Sequence, residues 1–464
     1  GYIPPNVLGN LEKIPSSKAN STNAIYGIDG SPVVKDIYFD DTPNDGTTNP
    51  RWRTILLGGL GAGGKGLYAI DITNPNSPTH LFAINNDESN KAIQHWGSNI
   101  IKNEFGYAGG GQIDAKYDYR KLGETWSTPR IIRIKVSGKD KWVAVFGGGY
   151  NGAVNPNIGS AVFVMDLEDE GRLLKVIDIE DTANDIVNSL PADLSVITAD
   201  GTNKANYNGA MIYATDLEGK VTKINLTENF IMDTNTSSAD YNTMIRPVAS
   251  DKNIQQTALF TTEATSNNGR YIYTRPEVTI NNDNNLWLYF GTGNTQKFQT
   301  QSSQVQNRLY GIKDKNFPNF VKVSPISNVS MCQTEPTCPG GSDMGWYVNL
   351  KKSQKLTAEP TVDKDRVYFP IYEPSPENNK CGTGNAILRA FDTKCGNSVL
   401  NINLGKGVLS KVVVQEDNLY IGLAGEAIDN IKGFTSKDNL ITGKSNAKVS
   451  SSGAVQLEKW KENY

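Results

Sequence analysis

Apolar positions in this chain come in short runs separated by glycine, proline, asparagine and aspartate, and the helical period is nearly absent. Residues 51–73, RWRTILLGGLGAGGKGLYAIDIT, set the pattern: two strand-like runs flank a glycine-rich turn, and the second ends apolar–aromatic–Ala–apolar–Asp. Similar endings stand at 162–168 (VFVMDLE), 212–218 (IYATDLE), 309–314 (LYGIKD) and 387–393 (ILRAFDT). Each is preceded by another strand-like run, often led by proline: GSPVVKDIY, STPRIIRIK, TRPEVTI and AEPTVDKDRVYFPIY. A unit of this kind is a small antiparallel sheet that cannot bury its apolar face alone, so the units must stack, and radial stacking gives a β-propeller. The closing aspartates, Asp71, Asp166, Asp216, Asp314 and Asp392, are spaced wider than the ~40–50 residues of a compact blade, so long loops must be inserted. The expected fold is all-β, a modified β-propeller of six or seven blades with long loop insertions.

The pattern predicts an entry linker over 1–28, the propeller over 29–429 and a polar tail over 430–464 that completes a blade or contacts a partner. Units are expected at about 29–80, 127–180, 192–226, 256–315, 355–401 and from 408. The loop 81–126 carries His95, Trp96, Phe105, Tyr107, Tyr117, Tyr119 and Trp126, a density that predicts an ordered excursion. An insertion is expected at 316–350. Residues 182–195 hold the best candidate for a short helix.

Composition changes this picture little. The 38% hydrophobic fraction is low for 464 residues but suits many small sheets, and 44 glycines with 21 prolines mark many turns. Net charge is −3 with the 46 basic residues dispersed, so no basic stripe points to nucleic acid. No apolar run reaches the ~18 residues of a transmembrane helix. Residue 1 is Gly, so the chain is expected to be a piece of a longer protein with its targeting segment elsewhere.

Four cysteines form two local pairs, and the expected bridges are Cys332–Cys338 and Cys381–Cys395, placing the chain in an oxidising compartment. The alternative is buried thiols in a cytosolic protein. Catalysis has no positive support: His80 and His95 are the only histidines and neither has an evident Ser or Cys partner. GLGAGG at 59–64 matches a nucleotide-binding pattern, but a strand, not a helix N-terminus, follows it. Similar glycine clusters at 147–149 and 291–293 point to close strand approach instead. Calcium is the better-supported ligand, since hard cations take several oxygens from one loop. Asp40, Asp41, Asn44 and Asp45 offer one such loop, and Asp200, Asn203, Asn206 and Asn208 a second. Ordinary Asx-rich turns explain the same residues.

The segments DGSPVVKDIYFD, WRTILLGGLGAGGKGLYAIDIT, WVAVFGGGYN, MIYATDLEGKVTKINL and LYFGTGN resemble the C-terminal domain of the PilC/PilY family of type IV pilus tip-associated adhesin and assembly proteins. The resemblance spans roughly 29–315 and weakens beyond, although the terminal EKWKE is similar to the ending of relatives. It implies a modified β-propeller at the extracellular pilus tip or bacterial outer-membrane surface, with minor pilins as partners. A host-cell surface would be met through a region outside this chain. Pilus assembly, adherence and twitching motility are the implied roles, and protein binding rather than catalysis the implied mode. A family calcium loop falls on 200–210, where the match departs: Asp200 is displaced, the middle is asparagines, and Ala210 holds the last ligand position. Two alternatives stand beside this. A quinoprotein-type propeller dehydrogenase is suggested by LRAFDTKCGN, and a periplasmic scaffold unrelated to pili would differ only in its partner.

Overall fold

In the computed structural model, residues 2–11, 26–39, 51–107, 115–152, 158–180, 188–281, 284–334, 338–340, 342–376, 379, 382–428 and 431–448 are described. The chain is all-β, and its sheets are the blades of a modified β-propeller. Five sheets hold the described strands, of six, six, four, five and nine strands in chain order.

The first sheet is a meander through Val33–Phe39, Arg51–Gly59, Gly66–Asp71, Thr79–Asp87, Ala92–Trp96 and Lys102–Gly106. The second runs Leu173–Asp178, Ala161–Asp166, Lys139–Gly147, Arg130–Val136, then Asn229–Met232 and Met244–Ile245. Asn229 and Phe230 pair in parallel with Lys135 and Val136, so the chain returns to this sheet after leaving it. A third sheet has the order Ser195–Thr198, Ala210–Thr215, Lys220–Leu226, Gln256–Thr261, and the fourth Glu277–Ile280, Leu286–Gly291, Arg308–Asp314, Gly345–Asn349, Cys332–Gln333. The nine-stranded sheet begins at Lys355–Leu356 and ends with Leu440–Lys444 and Phe434–Lys437.

By compactness the chain divides into two units, residues 1–199, 205–214 and 224–256, and residues 200–204, 215–223 and 257–464. Period-two alternation builds the core of each. In the first unit, Val143, Val145, Val162 and Val164 pack with Ile212 and Ile224, while their neighbours Ala144, Phe146, Ala161 and Phe163 pack with Ile55, Leu57 and Phe82 of the first sheet. In the second unit, Val367, Phe369 and Ile371 join Trp287, Tyr289 and Trp346, and Tyr368 and Leu388 join Leu419, Ile421 and Ile441. A middle strand with cores on both faces has no polar side. For that reason GLYAID, AVFVMD and AMIYAT are buried throughout rather than alternating.

Three of the five repeated endings occupy equivalent places, and Asn385–Asp392 is the fourth strand of its sheet. Gly66–Asp71, Ala161–Asp166 and Arg308–Asp314 are each the third strand of their sheet in chain order, while Ala210–Thr215 is the second of its sheet. The leading prolines, Pro32, Pro129, Pro276 and Pro360, stand directly before strands, where a missing N–H costs no ladder bond. Glycine is required at two close approaches. A Cβ on Gly63 would lie 2.1 Å from the Gly27 carbonyl oxygen, and one on Gly149, at φ 87°, 1.9 Å from that of Glu124.

Several expectations need correction. Residues 79–106 are not a loop: they supply three strands of the first sheet. The segment expected to be an ordered excursion is ordered where described, with the rings of His95 and Tyr117 4.6 Å apart, Phe105 and Tyr117 4.9 Å, and Trp126 and Tyr150 4.3 Å. Gln256–Thr261 belongs to the third sheet, not the fourth. Gly345–Asn349, placed in an insertion, is a strand paired with Arg308–Ile312. The fifth and sixth units share one sheet, because Ser398–Leu409 pairs with Asn385–Asp392 along one part and with Asn418–Ala427 along another. The two strands after residue 430 extend that sheet. Of the helix expected at 182–195, residues 182–187 lie outside the described residues, 188–194 are not helical, and Ser195 begins a strand.

Candidate functional site

The recurring aspartate proves to be a turn device. Its carboxylate accepts a backbone N–H from just beyond the strand: Thr73 to Asp71 at 2.9 Å, Glu168 to Asp166 at 2.9 Å, Lys220 to Asp216 at 2.9 Å, Asn316 to Asp314 at 3.0 Å, and Lys394 to Asp392 at 2.9 Å. Such Asx turns replace the ladder bonds that end with the strand. At Asp71, Asp166, Asp216 and Asp314 a cation also lies within ion-pair distance. Arg53 lies 3.6 Å from Asp71, Lys141 2.6 Å from Asp166, Lys220 3.7 Å from Asp216 and Lys223 2.5 Å from Asp314. Burial raises the Asp166 carboxyl despite Lys141. Burial likewise lowers the Lys223 amine despite Asp314. The repeat that dominates the sequence is therefore structural.

Both histidines are engaged by neighbouring groups. His80 Nδ1 lies 2.5 Å from the Tyr2 hydroxyl, and His95 Nε2 donates to the Glu170 carbonyl oxygen at 2.8 Å. Burial lowers both rings below their ordinary value. Burial lowers the Lys355 amine to about 8, and it donates to the carbonyl oxygens of Lys297 at 2.7 Å and Thr300 at 3.4 Å. It pins the 297–300 backbone.

Asp40, Asp41, Asn44 and Asp45 lie outside the described residues. Asp200 falls in a 3-10 turn, Ala199–Gly201, and Asp200, Asn203, Asn206 and Asn208 are all exposed. Among the described residues no group of three or more His, Cys, Asp or Glu side chains could hold a metal ion. One carboxylate with three exposed amides is a thin donor set for an ion that takes six to eight oxygens.

The disulfide pairing is a correction. Cys338 is bonded to Cys395, with Cα atoms 4.5 Å apart, so neither local bridge forms. Cys395 sits in the Asp392 turn, its N–H donating to that carboxylate at 2.8 Å. Local spacing misleads because Cys395 lies beside the fourth sheet: a Cβ on Gly396 would meet Thr334 and Trp346. Cys332 lies in the short strand beside Trp346, and Cys381 falls outside the described residues. The DTKCG part of LRAFDTKCGN forms this turn.

One surface feature was not read from sequence. Tyr38 and Trp52 are directly opposed across the first hairpin, their rings 5.6 Å apart edge to face, with 38% and 62% of each residue exposed. Their alternation with buried Ile37, Phe39 and Arg53 was the available signal.

Residues 5–331 match the PilY1 beta-propeller domain. The chain belongs to this family. It is 24% identical over 454 residues to a type IV pilus biogenesis factor PilY1 homolog of Xylella fastidiosa, covering 92% of this chain and 27% of that protein. Type IV pilus biogenesis factor PilY1 of Pseudomonas aeruginosa strain UCBPP-PA14 is 27% identical over 323 residues, covering 68% of this chain and 23% of that protein. The chain thus spans about a quarter of the length of these curated relatives. The crystal structure of the Pseudomonas aeruginosa PilY1 C-terminal domain superimposes with a TM-score of 0.58 at 18% identity, covering 92% of this chain and 86% of that one. The likeness shows that the PilY1 propeller fold extends beyond residue 331, where the sequence resemblance had weakened.

Proposed function

We propose that this chain is a protein-binding propeller of a type IV pilus biogenesis factor, acting without catalysis at the bacterial surface. Membership of the PilY1 propeller family carries the reading. Support comes from the inventory of reactive groups: the two histidines are engaged by Tyr2 and a backbone carbonyl, and the repeated aspartates are engaged in turns. Minor pilins at the pilus tip are the proposed partners, with pilus assembly, adherence and twitching motility as the cellular outcome. Calcium, if bound near Asp200, belongs to the weak class with Kd on the order of 10⁻⁴–10⁻³ M, and no step of the function runs through it.

The test is capture of purified minor pilins by the purified chain. A stable complex is expected, together with restored surface piliation when the full-length gene, but not one lacking this segment, is returned to a deletion strain. Piliation by the truncated gene would overturn the reading.

A further inference from the structure

The amino-terminal segment, expected to be a linker, is fastened to the first sheet. Asn6 Nδ2 donates to the carbonyl oxygens of Leu67 and Ile84, each at 3.1 Å. Val7 is buried with Leu60, Tyr68 and Ala83. Tyr2 stacks on His80 with ring centroids 6.1 Å apart, lies 6.4 Å from the Tyr68 ring, and meets His80 Nδ1 through its hydroxyl. Among the described residues these contacts hold residues 2–7, and the Tyr2–His80 contact is titratable.

Burial holds the Tyr2 hydroxyl well above the ordinary tyrosine range, so it keeps its proton and can donate to Nδ1. Among the described residues, the other ring nitrogen, Nε2, is buried with no partner within hydrogen-bond geometry. Desolvation dominates the ring's environment. The backbone of Trp96 and Gly97 and the Glu170 carboxylate favour the charged form, and His95 opposes it.

We propose that residues 2–7 form an acid-released clasp on the first sheet, with Tyr2 and His80 as its catch. While the segment is seated, a proton on His80 creates a charge with little access to water. Lifting the segment lets water reach the ring. Acid therefore favours the lifted state, by up to about tenfold per pH unit below the free histidine value. His95 lacks this coupling, because a carbonyl only accepts: its Nε2–H bond to Glu170 persists in either charge state, and Tyr117 rather than the segment lies against it.

The experiment is hydrogen exchange of the Val7 amide, which donates to the Pro4 carbonyl oxygen at 3.2 Å, corrected for the intrinsic pH dependence of exchange. Between pH 7.5 and 5.0 its protection should fall several-fold in the wild-type chain and stay constant in His80→Gln. Unchanged protection in the wild type, or the same fall in His80→Gln, overturns the clasp. Should His80→Gln not fold, the His80 ring proton is titrated by NMR in the wild type and in Tyr2→Ala. The clasp requires a higher pKa in Tyr2→Ala, and an unchanged one refutes it.

Discussion

Lys223 Nζ and Asp314 Oδ2 lie 2.5 Å apart, and each side chain is 1% exposed. Asp314 closes the repeated strand of the fourth sheet, and Lys223 comes from a strand of the third. Lys223 also donates to the Asn319 carbonyl oxygen at 2.9 Å. Two dehydrated charges are tolerable only while both remain. Lys223→Met should therefore destabilise the second unit by about 3–5 kcal/mol, whereas Lys223→Met with Asp314→Leu should recover most of the loss. Denaturant unfolding checks both, and additive losses would contradict the pairing.

Acid should destabilise the first unit. Burial lowers His95 from its ordinary value of 6.5, with the Glu170 carbonyl and the Glu170 and Asp169 carboxylates opposing the shift. A depressed folded-state pKa means the unfolded chain binds the proton first, so its stability contribution is present above 6.5 and lost as pH falls through the lower value. The melting temperature should decline below about pH 6, and His95→Gln should flatten the decline.

Non-reducing peptide mapping should recover a peptide linking Cys338 to Cys395. Their separation is 57 residues, a loop long enough that Cys338→Ser should cost about 2–4 kcal/mol. A Cys381–Cys395 peptide would contradict the structure.

Calcium should act weakly. Between chelator and several millimolar calcium, stabilisation on the order of 1 kcal/mol is expected, and Asp200→Ala should abolish it. A rise that persists in Asp200→Ala would move the ion to another loop.

The sequence alone determined the strand class, the repeat and its punctuation. Five Asp-ended runs and four leading prolines are local signals, because Asx turns and proline-led strands are made by residues close together in the chain. It also excluded a nucleotide loop at 59–64, since a strand follows the glycines. What needed the tertiary structure were the partnerships between distant residues. Gly345–Asn349 is a strand only because Arg308–Ile312 lies beside it, and Asn229–Phe230 is one only because Lys135–Val136 does. Cys338 finds Cys395 because the Asp392 turn lies beside Trp346 of the fourth sheet, and Lys223 finds Asp314 because both charges need each other once dehydrated. Spacing along the chain reports on turns, whereas the choice among chemically equal partners is made by which strands pack together.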